Sequence, residues 1–368
     1  MRALVIGGTG PTGHYIVNGL IARGYRVEIL HRGNHELAEI PEEVVHHHLD
    51  PYDPAAITAF FDTAAHYELC VATYGRLRAI ANASAGRTGR IISAGGVPAY
   101  RGYMNPALLE PAGLPVPTAE DATRVALPEE DEKGWRIVRT EDALFAAHPD
   151  ATHVRYPYVY GMYQPMPREW PILRRLLDDR EFIILPDGGL TLHHMGYAEN
   201  VARGILLAVD HPAVSRGRIY NCADEEVLSL RQGVEIMAAA LGRRIEIVSM
   251  PWELAPCTRP LVMQPLSTHR VLDISRIRAE LGYRDAMPAR EALAKTTRWL
   301  AEHPPARGGL EEMVLEDPFD YAAEDRLRAA WEKAIAGMER VTFDTEPGYT
   351  MSYSGPGGRQ RSSNNFSA

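Results

Sequence analysis

The sequence predicts an α/β fold, a doubly wound parallel sheet with a smaller C-terminal substrate lobe. Three observations carry this. Arg2 to Ile6 is a short run rich in Leu, Val and Ile, of the kind that forms strands buried on both faces. A glycine-rich turn follows at once, and then apolar residues at helical spacing, Tyr15-Ile16-Val17 and Leu20-Ile21. Short apolar runs and helical periods keep alternating as far as about residue 165.

The opening unit is the most informative. Gly7, Gly10 and Gly13 stand in G-x-x-G-x-x-G spacing, with Thr9, Pro11 and Thr12 between them, and a second strand runs from Tyr25 to Leu30. One glycine permits a tight turn, one lets backbone N–H groups approach a pyrophosphate, and one lets the helix pack closely on the strand. The phosphates then sit at the positive end of a helix dipole. Strand, turn, helix and strand in this order form the Rossmann dinucleotide fingerprint. NAD binders place Asp or Glu at the end of the second strand, about 20 residues on, to accept from the ribose 2′-hydroxyl. Here that place reads Leu30-His31-Arg32-Gly33-Asn34, without a carboxylate. A guanidinium suits a 2′-phosphate, so Arg32 points to NADP as cofactor, with NAD left open.

Over residues 1 to about 303 the chain resembles the extended short-chain dehydrogenases/reductases, in the NAD-dependent epimerase/dehydratase-like group. The glycine spacing is that group's. His48-Leu49-Asp50 is similar to the end of its third strand, which implies that Asp50 binds adenine. Leu69 to Thr73 resembles its fourth strand, which implies that Thr73 and Tyr74 pass beside the cofactor. Arg90-Ile91-Ile92-Ser93 resembles its fifth. Arg155-Tyr156-Pro157-Tyr158-Val159-Tyr160-Gly161 is similar to its Arg-Pro-x-x-Val-Tyr-Gly segment, which implies that Tyr156 and Tyr158 meet nicotinamide and substrate. Arg218-Ile219-Tyr220-Asn221, Ser275-Arg276 and Glu280-Leu281-Gly282-Tyr283 resemble later segments of the group. The resemblance implies an oxidoreductase that moves hydride between nicotinamide and a small carbonyl or alcohol. An epimerase or dehydratase of nucleotide-sugar type, with internally recycled cofactor, is the alternative. A nucleotide-binding sensor without turnover is a third.

The family's proton relay is a Ser or Thr after the fifth strand and a Tyr-x-x-x-Lys pair on the next long helix. With Val97 and Glu141 set on matching family positions, the Ser falls on Ala94, the Tyr on Lys133 and the Lys on Ile137. No tyrosine stands between Tyr103 and Tyr156. A replacement donor must reach the substrate oxygen. The candidates are Ser93, at the end of the fifth strand, Tyr100 and Tyr103 in the loop after it, Lys133, and His194 before a helix from Gly196 to Val209. Each has a plainer alternative. The tyrosines can be aromatic contacts, Lys133 a solvated member of Glu129-Glu130-Asp131-Glu132-Lys133, and His194 or its neighbour His193 a support for the junction.

His46-His47-His48 has the composition of a metal cluster. Side chains on a strand alternate faces, so three adjacent histidines do not converge on one ion, and no metal is expected. Arg76 and Arg78, after the fourth strand, are either donors to an anionic group or solvent-facing.

Composition limits the remaining classes. The chain has 368 residues, 45% hydrophobic and 24% charged, enough for two lobes. Its 39 Lys and Arg against 48 Asp and Glu give a net charge of −9, and the absence of a basic cluster argues against a nucleic-acid partner. No run approaches the roughly 18 apolar residues of a membrane span. Three scattered cysteines without a CxxC pair fit a reducing cytoplasm. The first residues run straight into a strand, so no leader is expected. Residues 1–165 are assigned to the NADP-binding Rossmann domain, with returns from about 190–221, and residues 166–303 to the substrate lobe. Residues 304–368 are assigned to an extension with a helix from Ala322 to Ala336 and a tail from Pro347. That tail either stays mobile or lies across a cleft or a partner subunit, which leaves a homodimer open. The partner expected at the site is a small molecule.

Overall fold

The computed structural model describes residues 1–34, 36–345 and 347, so nearly all of the tail lies outside the described residues. Residues 1–320 form one compact unit, and the chain from Tyr321 belongs to a second, which holds the helix Tyr321–Ala336.

Eleven strands are described: β1 (Arg2–Ile6), β2 (Arg26–His31), β3 (Val45–His48), β4 (Leu69–Ala72), β5 (Ile91–Gly96), β6 (Thr152–Tyr156), β7 (Tyr158–Tyr160), β8 (Phe182–Pro186), β9 (Met195–Tyr197), β10 (Arg218–Asn221) and β11 (Glu246–Met250). Seven of them make one parallel sheet in the order β10-β6-β5-β4-β1-β2-β3. Parallel strands need crossovers, and these are supplied by α1 (Gly13–Ala22), α2 (Pro54–Thr63), α3 (Leu77–Ser84) and α4 (Glu132–Ala147), while α6 (Ala198–Asp210) leads into β10.

The alternation of side chains along β1 divides the interior in two. Ala3 and Val5 enter one apolar cluster with Ile16, Val17 and Leu20 of α1 and Val201 and Ile205 of α6. Leu4 and Ile6 enter another with Ile57 and Phe61 of α2 and Ile80 of α3. Each such large side chain, withdrawn fully from water, contributes about 1.5–3 kcal/mol relative to exposure. Local signals set the helix starts. Asp53 caps α2 by accepting from the Ala55 N–H at 2.9 Å, with Pro54 in the first helical position.

A third apolar cluster draws on residues from Tyr160 to Leu315. Trp170, Leu173 and Leu176 of α5 (Trp170–Leu177) pack with Ile183 and Leu185 of β8 and with Val234, Met237 and Leu293. The helix Leu230–Ala240 begins with a reciprocal capping box between Ser229 and Gln232. The stretch after residue 304 makes buried contacts with α5 as far as Asp317. The Trp170 Nε1–H donates to Glu312 at 2.8 Å, and Arg175 pairs with Asp317 at 2.7 Å, both buried. Among the described residues, no helix is long and apolar enough to cross a membrane.

Candidate functional site

The strand order reverses between β1 and β4, and ligands of such sheets bind outside the carboxyl ends at that point. Gly7 leaves β1 there with φ +98° and donates its N–H to Leu30 O at 3.1 Å. A Cβ on Gly7 would stand 2.6 Å from Tyr74 Cβ and 2.9 Å from Thr73 Oγ1, so the approach of β1 to β4 requires glycine. Gly13 opens α1, and a Cβ there would lie 2.3 Å from Gly8 O. Gly10 differs. Its Cβ would meet only Gly7 O, at 3.5 Å, so the fold itself leaves room beside it.

A cavity of about 360 Å³ lies over this turn. Gly7, Thr9, Gly10, Pro11 and Thr12 form its floor, and Thr73 and Tyr74 a wall. The first turn of α1 has neither a side-chain cap nor an acidic residue, so its positive end faces the cavity unneutralised. Among the described residues, none that lines it is acidic. The donor set therefore fits a dinucleotide's phosphates. On the β2 side the lining is His31, Arg32 and Asn34. Arg32 donates through Nη2 to the Tyr74 hydroxyl at 3.1 Å. Asp50 is exposed, accepts the Tyr52 N–H at 3.0 Å, and does not line the cavity.

On the β6 side Tyr156 lines this cavity and also a second pocket, of about 290 Å³. The Tyr156 hydroxyl donates to Val201 O at 3.1 Å, so its ring forms the shared wall. Lys133 and Ile137, one turn apart on α4, line the second pocket together. Tyr103, Tyr158 and His194 join them, with two cations that the sequence reading did not single out, Arg168 and Arg270. Again, among the described residues, none that lines it is acidic. The Tyr158 hydroxyl donates to Met166 O and accepts the Arg168 N–H, both at 2.7 Å. Burial pushes the phenols of Tyr103, Tyr156 and Tyr158 up. His194 accepts the Leu272 N–H at Nδ1 (3.1 Å) and donates from Nε2 to Asp224 O (2.6 Å), and burial lowers its pKa. Its two nitrogens are thus engaged as a neutral imidazole joining three segments. Arg270 is held by His193 Nε2 at 2.8 Å and by Val262 O at 2.6 Å.

No family model matches the chain. Among curated proteins it is similar to the uncharacterized protein YbjS of Escherichia coli K12, 29% identical over 152 residues, which cover 36% of this chain and 45% of that protein. It is similar also to the uncharacterized protein y4nL of Sinorhizobium fredii, 25% identical over 171 residues, 41% and 47% of the two chains. The chain thus spans about half the length of the curated relatives it matches. Similar solved structures cover more. UDP-glucose 4-epimerase of Thermotoga maritima, with UDP-glucose, has a TM-score of 0.64 at 17% identity, over 82% of this chain and 99% of that one. UDP-glucuronic acid 4-epimerase of Bacillus cereus, with UDP-glucuronic acid and NAD, has 0.64 at 14%, over 82% and 100%. The dTDP-glucose 4,6-dehydratase DesIV of Streptomyces venezuelae, with NAD, has 0.59 at 19%, over 82% and 97%. The chain has the fold of the NAD-dependent epimerases and dehydratases.

Within this epimerase-type fold two further expected site residues, besides Asp50, stand elsewhere. Ser93 does not end the fifth strand as expected, because β5 continues through Gly95 to Gly96. Ser93 is therefore inside the sheet, fully buried, with Oγ 2.8 Å from His153 Nδ1, and does not line the cleft. Tyr100 is also fully buried, donating to Asn221 Oδ1 at 2.6 Å with the Arg155 guanidinium 4.7 Å from its ring centroid. It supports the sheet rather than the pocket. The histidine run of β3 divides as strand geometry requires. His47 turns to Glu28, at 2.9 Å, while His46 and His48 share the other face with His31. Alternation separates neighbouring histidines but leaves His46 and His48, two residues apart, on one face, against the expectation that the run offers no metal site.

Proposed function

We propose that the chain is an NADP(H)-dependent oxidoreductase acting on a small carbonyl or alcohol that carries a negative group. The observation that supports this most directly is Tyr156, whose ring walls both the cavity over the glycine turn and the pocket of Lys133. The turn Gly7–Gly13 and the N-terminus of α1 would hold the pyrophosphate, and Arg32 a 2′-phosphate. When bound, the nucleotide supplies or accepts hydride at its nicotinamide. Lys133 donates a proton from Nζ to the substrate oxygen on reduction and takes one from it on oxidation. Arg168 pairs with the substrate's anionic group, since Arg270 is committed to His193 and Val262. Ile137 stands where the family's lysine would, which leaves one amine on this face of α4 for proton transfer.

The fold favours a second reading, a nucleotide-sugar epimerase or dehydratase whose cofactor stays bound, because such enzymes are among its structural neighbours. One preparation separates the two. The purified protein is denatured and its supernatant assayed for nucleotide, and the native protein is then given NADPH with a panel of small oxo-acids and aldehydes. NADPH that exchanges freely and is consumed supports the proposal. A retained, non-exchanging nucleotide with no NADPH consumption overturns it in favour of the second reading. Failure to bind either NADPH or NADH overturns both.

A further inference from the structure

The edge of the sheet next to the cofactor cavity gathers four metal-ligating side chains that the proposed chemistry does not use. His31 is the last residue of β2, and its register partner on β3 is His48. Register partners share a face, and so do residues two apart, so His31, His46 and His48 project together. Glu36 reaches the same point from the loop after β2. His31 Nε2 lies 3.1 Å from His46 Nδ1. Glu36 Oε1 lies 3.6 Å from His46 Nδ1 and 3.6 Å from His48 Nε2. One ligand atom from each of the four falls within 4.8 Å of all the others. The rings meet edge to face, at 74° for His31 with His46 and 83° for His31 with His48.

We infer that His31, Glu36, His46 and His48 form a tetrahedral site for zinc or a similar divalent transition ion. Zinc takes imidazole nitrogens at about 2.0–2.1 Å and carboxylate oxygens at about 2.0–2.2 Å, which puts adjacent ligand atoms of a tetrahedron roughly 3.3–3.5 Å apart. The separations of 3.1, 3.6 and 3.6 Å bracket that edge, so closure onto an ion needs shifts of only a few tenths of an ångström along them. Three imidazoles with one carboxylate suit a borderline ion and not magnesium or calcium, which select oxygen donors. His31 is buried, His46 half-buried and His48 exposed, so the site has a rigid inner ligand and an open side through which an ion enters. Loading has a defined cost. The Gly33 N–H donates to His31 Nδ1 at 3.2 Å, which puts the His31 proton on Nε2. Ligation by the neutral imidazole through Nε2 requires that proton on Nδ1, and the Gly33 contact is then given up. No ligand comes from the glycine turn, although His31 also lines the cavity over it, so zinc is titrated into nucleotide-free protein.

The test is zinc binding by the full chain, stripped with a chelator and titrated calorimetrically, with cobalt(II) as a spectroscopic stand-in. The expected result is one zinc per chain at micromolar or tighter affinity, and for cobalt the intense visible bands of a tetrahedral site. His46→Ala and His48→Ala should each weaken zinc by more than about tenfold, since even changes outside a ligand shell cost that much. His47→Gln, on the opposite face, should stay within about twofold of wild type. His48 is exposed, so its loss leaves the fold intact and the measurement interpretable. Wild-type binding no stronger than that of His48→Ala, equal weakening by His47→Gln, or a weak six-coordinate cobalt spectrum would overturn the site.

Discussion

Arg155 of β6 meets Glu141 of α4 through two parallel hydrogen bonds, Nε to Oε1 and Nη2 to Oε2, both 2.7 Å, with each side chain 1% exposed. This bidentate pair fastens the helix that carries Lys133 and Ile137 to the strand that ends in Tyr156. Burial pushes the Glu141 carboxyl up, but its hydrogen bonds to Arg155 and His153 outweigh that and hold it well below the usual carboxylate range. Replacing Arg155 by Leu leaves a buried carboxylate and should cost roughly 3–5 kcal/mol in urea unfolding near neutral pH. The sign with pH follows. A depressed folded pKa stabilises above the unfolded value of about 4.3, and the contribution fades as pH falls through and below it. Wild type should therefore lose its advantage over Arg155→Leu on acidification, and a gap that widened in acid would contradict this account of the pair.

The glycines of the turn separate folding from binding. Gly13→Ala forces a Cβ against backbone oxygen at 2.3 Å, so its melting temperature should fall along with any nucleotide affinity. Gly10→Ala meets nothing nearer than 3.5 Å, so it should melt like wild type yet bind nucleotide at least about tenfold more weakly. Thermal melts beside fluorescence titrations with NADPH decide it. Unchanged affinity in Gly10→Ala would remove the phosphates from this turn.

What could be read in the sequence was local. The β1 turn, α1 and β2 follow from a continuous stretch in which spacing, glycine chemistry and apolar period agree. The register of Lys133 and Ile137 on one face of α4 follows from helical periodicity, and both do line one pocket. Ser93 lies inside the sheet because β5 runs on through Gly95 and Gly96, two residues that seldom extend a strand. Arg168 and Arg270 carry no motif. Arg270 reaches the pocket through a bridge to His193, 77 residues earlier, and such long-range pairing leaves no local trace. His31 was likewise invisible as a partner of His48, since only strand register places them side by side.

Arg32 should decide between the two nicotinamide cofactors. Its place after β2 is the one from which a ribose 2′-substituent is read, and no carboxylate lines the cavity there. Arg32→Ala should weaken NADPH by at least about tenfold, a charge-assisted contact being worth roughly 1.5–3 kcal/mol, and leave NADH almost unchanged. Equal weakening of both nucleotides, measured by fluorescence titration, would remove Arg32 from the 2′-phosphate.

Lys133 is exposed at the mouth of its pocket, so Lys133→Met should fold as wild type does. As the proton donor it should be needed for turnover and not for nucleotide binding. The expected loss in kcat is about 10²–10⁴-fold, the usual value of a positioned acid or base, with the Kd for NADPH within about twofold. A variant that keeps kcat and raises only KM would make Lys133 an anion-binding residue instead.

Glu169 stands just ahead of α5, only 5% exposed, and its Oε2 finds no hydrogen-bond partner among the described residues. Burial pushes its carboxyl up to about 7. Between the unfolded value of about 4.3 and that value, the folded chain holds a proton that the unfolded chain has released. Stability should then fall as pH rises through this window and level off above it. Glu169→Gln keeps the shape and removes the ionisation. It should therefore be more stable than wild type by roughly 3 kcal/mol in mildly alkaline buffer. The difference should shrink toward zero as the pH approaches the ordinary carboxylate range. Urea unfolding of both proteins across the window reads this directly. A difference that did not change with pH would show that Glu169 is not the group that titrates, because removing a silent carboxyl shifts both ends of the curve alike.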